Sequence, residues 1–205
     1  VGKLSVLEDQ RKTKFNHDNE IVEPHYYSVF LDDINTKVEF TVTERSSFFR
    51  FHFPRTADAN IIIDAFFKNS EIKVIPNENK IIGIAKNNSG GVPENFANYF
   101  VIEFDRPFKK SGVWDGKGNI ISKNHLKGKH VGAYVSFNTE KKDTSIYPPI
   151  KTKESYNIIE VKVSSSFISR EQAWTNLKRE LPENKNFSAI LAEGRKSWNN
   201  ELSKI

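Results

Sequence analysis

Two carboxyl groups facing each other across a cleft can act as general acid and general base. On this chain the carboxylates on or beside strand-like alternation are Glu39, Glu44, Glu103 and Asp105. No spacing rule selects a pair among them, and salt-bridged or solvated faces are the plainer reading. Five histidines, His17, His25, His52, His125 and His130, are possible metal ligands. The nearest two, His125 and His130, straddle Gly128 at a spacing that does not put both on one face, so solvated or edge histidines are expected rather than a zinc site. Asp32-Asp33 with Asn35 has part of a calcium loop's acidic pattern but lacks its Gly and distal Glu, and reads as a turn. Gly90-Gly91 would cradle a phosphate only if a helix followed. Val92-Pro93 and a strand follow, so this is a loop between strands, of the kind that borders ligand clefts. Trp114, in a polar Gly-rich stretch, is either an aromatic platform for a sugar ring or a satellite core anchor. Trp174 and Trp198 lie on helical apolar stripes and are expected to pack in a core or an interface.

The elements that must position these residues are mostly strands. Period-two alternation dominates from Tyr26 to Val163, with Val38, Phe40 and Val42 on one face and Lys37, Glu39, Thr41 and Thr43 on the other, the pattern of a strand with one wet side. Phe49, Phe51 and Phe53 oppose Phe48, Arg50 and His52 in the next run. Further strands are expected at Tyr27 to Leu31, Ile61 to Ile63, Ile72 to Val74, Ile81 to Ala85, Phe100 to Phe104, Val131 to Phe137 and Ile159 to Val163, about nine in all. Turn clusters punctuate them at Asp32-Asp33, Pro76 to Asn79, Asn87 to Gly91 and Asp115 to Asn119, and Pro148-Pro149 makes a stiff extended corner. After Ser166 the period becomes 3.6. Ser169 and Gln172 fit a capping box, Ala173, Trp174, Leu177 and Leu181 share one face, and Pro182 stops that helix. A second helix is expected from about Asn186 to Leu202, with Phe187, Ile190, Leu191, Gly194, Trp198 and Leu202 on one stripe. The fold class expected is mainly β: an antiparallel β-sandwich over residues 1–166, followed by a helical hairpin or linker over 167–205.

Composition excludes several classes. There is no cysteine among the 205 residues, so disulfides, thiolate metal sites and thiol nucleophiles are absent. No segment approaches the roughly 18 to 20 apolar residues of a membrane span, so membrane insertion is not expected. The formal charge is +5, but 31 basic and 26 acidic side chains are interleaved along the chain, which argues against a nucleic-acid partner. The chain opens on Val1 and reaches Ile205 just after a helical pattern, as expected of a piece of a longer polypeptide. Cysteine usage leaves the compartment, exported or cytoplasmic, undecided.

Three stretches taken in order resemble the N-terminal domain of the glycoside hydrolase family 92 α-mannosidases. The first runs from Tyr27 through Thr43-Glu44-Arg45 to Phe51-His52-Phe53-Pro54. The second is Gly90-Gly91 to Asn95-Phe96, then Tyr99 to Phe104 and Asp105-Arg106-Pro107-Phe108. The third covers Ala173 to Leu181, Phe187 and Trp198-Asn199-Asn200-Glu201-Leu202-Ser203-Lys204-Ile205. The resemblance implies a parent enzyme that is an exo-acting, calcium-dependent, inverting α-mannosidase acting on α-mannosides such as N-glycan branches. It further implies that the acid, the base and the calcium ligands lie on a helical (α/α) barrel beyond this chain, which itself carries no catalytic or metal-binding residue. The partners implied are that catalytic domain and mannose-containing glycans. Gly90, Gly91, Asn95 and Trp114 become candidates for the substrate cleft, and Trp174 and Trp198 for packing between domains. Where many members carry Trp after the loop glycine, this chain has Val92.

Two rival readings remain at this point. A free-standing carbohydrate-binding or adhesion module would display Trp114, Tyr134 or Tyr147 to a glycan without chemistry. A purely structural sandwich would do neither.

Overall fold

A computed structural model describes residues 1–56, 58–66, 68–86, 90–140 and 156–204. Pro148-Pro149, Tyr147 and most of the Asn87 to Gly91 turn cluster therefore lie outside the described residues. Among the described residues thirteen strands form two antiparallel sheets. The larger contains β1 (Ile21–Glu23), β2 (Tyr26–Leu31), β3 (Thr36–Val42), β4 (Ser46–Phe53), β6 (Ser70–Ile75), β7 (Lys80–Ala85), β8 (Asn98–Phe104), β11 (His125–Gly128) and β13 (Asn157–Ser166). Their spatial order is β1-β2-β3-β4-β13-β8-β7-β6-β11. The smaller contains β5 (Ala59–Asp64), β9 (Lys110–Asp115), β10 (Ile120–Ile121) and β12 (Val131–Phe137), in the order β10-β9-β12-β5. All nine expected strands are present. The alternation had not marked β1, β9, β10 and β11.

The main core lies between the sheets, where Phe53, Ile72, Val74, Ile81, Ile102, Phe104 and Ile159 of the larger meet Ile61, Val113, Ala133, Val135 and Phe137 of the smaller. Each such side chain removed from water contributes roughly 1.5 to 3 kcal/mol before conformational entropy is counted. Turn chemistry closes the hairpins as the residue types require. Asn35 and Asn79 adopt positive φ after single 3-10 turns, and Asp115 accepts the backbone N–H groups of Lys117 and Asn119, each at 3.0 Å.

Helices α1 (Arg170–Glu180) and α2 (Phe187–Leu202) cross the outer face of the larger sheet. Ser169 Oγ accepts the Gln172 N–H at 3.1 Å, and Asn186 Oδ1 accepts the Ala189 N–H at 3.0 Å, so both N-caps follow side-chain chemistry. Ala173 and Leu177 of α1 bury against Val101, with Ile82 and Trp174 alongside. Phe187 and Ile190 of α2 bury against Phe48 and Leu181. The rings of Phe48 and Phe187 meet edge to face with centroids 5.5 Å apart.

These helices reverse the expected wetness of β3. Glu39 and Thr41, on the face read as wet, are buried, while Phe40 and Val42 are only half-buried. Alternation separates two faces of a strand but does not say what covers them. Here the polar face lies under α2, and the Phe40 side carries a row in which Tyr27, Phe40, Phe49 and Phe51 contact one another in turn, with Phe49 and Phe51 packed against the main core.

Candidate functional site

Gly90, Gly91 and Asn95 sit together on the exposed loop joining β7 to β8. Gly90 and Gly91 have φ of +48° and +73°, a conformation that glycine adopts without steric cost, and a Cβ on either would meet no atom within 4 Å. The Phe96 N–H donates to the Pro93 carbonyl at 2.9 Å, closing a turn that carries Asn95 at its tip. Lys68, Asn69, Lys86, Gly90, Val92, Pro93 and Glu94 line an open cleft of about 480 Å³ beside the loop.

Trp114 is not part of this site. It is 0% exposed, on β9 of the smaller sheet, and its Nε1 donates to the Ala133 carbonyl at 3.2 Å. Its cross-strand partner is Gly132, where an added Cβ would lie 2.1 Å from the indole. The ring fills the space that this glycine leaves and has no face to offer a sugar. The ring packs as a buried anchor rather than as a displayed platform.

Trp174 is half-buried on α1, with the Lys80 and Lys178 ammonium groups 4.1 and 4.8 Å from its ring. Trp198 is 42% exposed. The α2 stripe is buried at Phe187 and Ile190 and half-buried at Leu191 and Gly194, then emerges into solvent at Trp198 and Leu202.

Among the described residues, Glu39, Glu44, Glu103 and Asp105 are not arranged as an acid and base facing each other across a cleft. Glu39 is buried, with its Oε1 2.7 Å from His52 Nε2 and its Oε2 accepting the Tyr26 hydroxyl at 2.5 Å. Burial alone would raise its pKa. The hydrogen bonds from His52 and Tyr26 and the charge of Lys37 outweigh that and hold it at about 2. Glu44 is exposed and pairs with Arg45 at 2.6 Å. Glu103 and Asp105 do share a groove, of about 380 Å³, with Glu160, Glu183, Lys162 and Lys185. Asp105 is paired there with Arg106 at 2.8 Å. A general acid needs a carboxyl whose pKa is raised. Among the described residues, each carboxyl with a resolved displacement is displaced downward: Glu20, Glu39, Glu71, Asp115, Glu171, Glu180 and Glu183.

The histidines are each within reach of a carboxylate, His17 of Glu20, His25 of Glu23, His52 of Glu39, His125 of Glu71 and His130 of Asp64. Asp33 Oδ2 accepts the Lys14 N–H at 2.9 Å and Asn35 Oδ1 accepts the Tyr156 hydroxyl at 2.8 Å, so the side chains of that turn bond to distant segments of the chain. Among the described residues no three His, Asp or Glu side chains gather as a metal site.

Sequence reasoning missed Phe167 and Ile168, which stand beside the loop. The rings of Phe96 and Phe167 stack with centroids 5.0 Å apart. One signal was available. An apolar residue just before an N-cap normally staples to the fourth helical residue. Here that residue is Ala173, and Ile168 stays 76% exposed.

Among the described residues, no helix is long and apolar enough to cross a membrane. The family model for the glycosyl hydrolase family 92 N-terminal domain matches residues 2–147. No curated protein sequence matches the chain. Among solved structures, an inverting mannosidase of family GH92 from Bacteroides thetaiotaomicron VPI-5482 superposes with a TM-score of 0.85 at 29% identity, over 98% of this chain and 25% of that one. A family GH92 α-mannosidase from Bacteroides thetaiotaomicron, in complex with mannoimidazole, gives 0.76 at 27% identity, over 94% of this chain and 24% of that one. The chain thus spans about a quarter of the length of the solved relatives it matches. With the family model matching residues 2–147 and the superposition covering 98% of the chain, the chain belongs to glycosyl hydrolase family 92 as an N-terminal domain.

Proposed function

We propose that this chain is the non-catalytic sandwich of an exo-acting, inverting α-mannosidase that removes terminal mannose from α-mannosides such as N-glycan branches. The observation that carries this reading is the superposition on an inverting mannosidase over 98% of the chain. Inversion requires one carboxylic acid to protonate the leaving oxygen and a second carboxylate to activate water on the opposite face of the sugar. A carboxyl held below its ordinary range, as Glu39 is, is a poor general acid, and the family resemblance puts the acid and the base on the remaining part of the polypeptide. Calcium, which the family resemblance implies, would likewise be held by residues outside this chain.

The chain's own contribution is geometric. The Gly90, Gly91 and Asn95 loop stands exposed at one end of a rigid sandwich, as a wall of a cleft between two domains does. The exposed half of the α2 stripe, Trp198 and Leu202, together with the flank of Trp174, would pack against the catalytic domain. The rival of a free-standing glycan-binding module loses its main aromatic with the burial of Trp114.

The test is an Asn95→Ala variant of the full polypeptide assayed on α-mannosides. A several-fold fall in kcat/KM with an unchanged melting temperature is expected. Unchanged kinetics would remove the loop from the cleft.

A further inference from the structure

Strand pairing brings the β3–β4 turn, the β7–β8 loop and the β13–α1 link to one end of the larger sheet. Ser164 lies opposite both Ser46 and Val101, and Ser166 lies opposite Tyr99. At this end Phe96 stacks on Phe167 with the ring planes 23° apart. The stacked pair and Ile168 form an apolar ridge. On one side is the loop cleft that includes Gly90 and Val92. On the other is a groove of about 500 Å³ lined by Glu44, Arg45, Phe167, Ile168, Gln172 and Arg179, among others. Phe167 and Ile168 are 65% and 76% exposed, and Val92 and Phe96 are exposed on the β7–β8 loop.

Contiguous exposed apolar surface with a polar rim marks an interaction site rather than ordinary surface. The polar groups of the groove distinguish a protein from a sugar as its occupant. Gln172 Nε2 donates to Asn176 Oδ1 at 2.9 Å, and Asn176 Nδ2 donates to the Ser165 carbonyl at 3.0 Å. Behind the groove, Glu180, which does not line it, accepts the Thr43 hydroxyl at 2.6 Å and the Arg45 N–H at 2.9 Å. The side-chain amides of the groove are thus engaged within the domain, and the aliphatic Ile168 side chain gives a sugar nothing to bond. The groove is bordered instead by the Arg45 and Arg179 guanidiniums and the Glu44 carboxylate around an apolar ridge, the make-up of a protein interface with a charged rim. The solved relatives are about four times as long as the part this chain matches, so a large further segment is available to cover the ridge.

We infer that the Phe96, Phe167 and Ile168 ridge is the seat of the downstream catalytic segment of the same polypeptide. This rests on the function proposed above and deepens it, because seating there places Gly90, Gly91 and Asn95 at the domain boundary.

The absence of cysteine in this chain allows a direct test. Ile168→Cys and, on the far side of the ridge, Val92→Cys are introduced both into the 205-residue chain and into the full polypeptide, with Lys12→Cys as a control. Modification by a maleimide is then followed by peptide mass spectrometry. Labelling at 168 and 92 is expected to be at least about tenfold slower in the full polypeptide, as for sites released only by local opening, with no change at 12. Equal labelling in an enzyme that hydrolyses α-mannosides would overturn the seat while leaving the proposed function intact. Slower labelling in a full polypeptide without such activity would support the seat and remove the function. Protection in the 205-residue chain that grows with its concentration would give the ridge to a second copy, and protection of that chain by added mannan would give it to a glycan. Either result overturns the inference.

Discussion

His52 Nε2 lies 2.7 Å from Glu39 Oε1 in a buried site where two strands meet beneath a helix. β3 and β4 pair so that Glu39 faces Arg50 and Lys37 faces His52, which leaves the Glu39 and His52 side chains diagonal on the face that α2 partly covers. Tyr26 completes the arrangement from β2, and its own hydroxyl is pushed up to about 12 by burial and by the Glu39 carboxylate that accepts its proton. A carboxylate buried with such partners is stable only while they are all present.

The Glu39 pKa predicts an acid limb. Its folded value of about 2 lies below the ordinary 4.5, so the stability it contributes is fully present above about pH 4.5 and is lost as pH falls toward 2. The contribution is on the order of 2 to 3 kcal/mol. Melting temperature measured from pH 6 to pH 2 should fall more steeply for the unmodified chain than for Glu39→Gln. Parallel curves would show that Glu39 titrates normally.

His52→Ala removes a charge-assisted hydrogen bond from a buried carboxylate and should cost about 2 kcal/mol near neutral pH. Urea denaturation checks this through a lower midpoint at unchanged slope. A midpoint within error of the parent would deny the bond any energetic role.

Trp114→Ala should destabilise the domain by roughly 3 to 5 kcal/mol through the cavity it opens. Gly132→Ala should also destabilise, by about 1 to 3 kcal/mol or more, because its Cβ would meet the indole at 2.1 Å and the Ile63 carbonyl at 2.4 Å. Chemical denaturation of each variant measures the loss. A Trp114→Ala chain of unchanged stability would contradict the packed position of this ring.

Trp198→Ala should leave the melting temperature of the 205-residue chain within about a degree, since an exposed residue with few partners changes stability by under ~0.5 kcal/mol. In the full polypeptide the same change should lower the melting temperature by several degrees and expose α2 to limited proteolysis. Equal behaviour in both would remove Trp198 from any interdomain contact.

Much of this fold is legible in the sequence, because alternation and capping are local. The nine marked strands, the Ser169 cap and the Pro182 stop all depend on residues within a few positions of one another. The four missed strands had no such signal. β9, Lys-Ser-Gly-Val-Trp-Asp, alternates only weakly, and β1, β10 and β11 are too short to show a period. What covers each face was also out of reach. Glu39 and Thr41 read as solvated until α2 is laid over them, and Trp114 reads equally as a displayed ring or a packed one until Gly132 is found opposite it. The Gly90 and Gly91 loop was recognisable from its glycines, whereas the Phe96 and Phe167 stack joins residues 71 positions apart that only the sheet register brings together.

Mannose release measured side by side for the 205-residue chain and the full polypeptide is the most direct test of the chain's role as the non-catalytic sandwich of an α-mannosidase. Release from an α-mannoside by the full polypeptide, with β-mannose as the first anomer seen by NMR, and none by the chain alone is the predicted result. Release by the chain alone, or none by the full polypeptide, would contradict it.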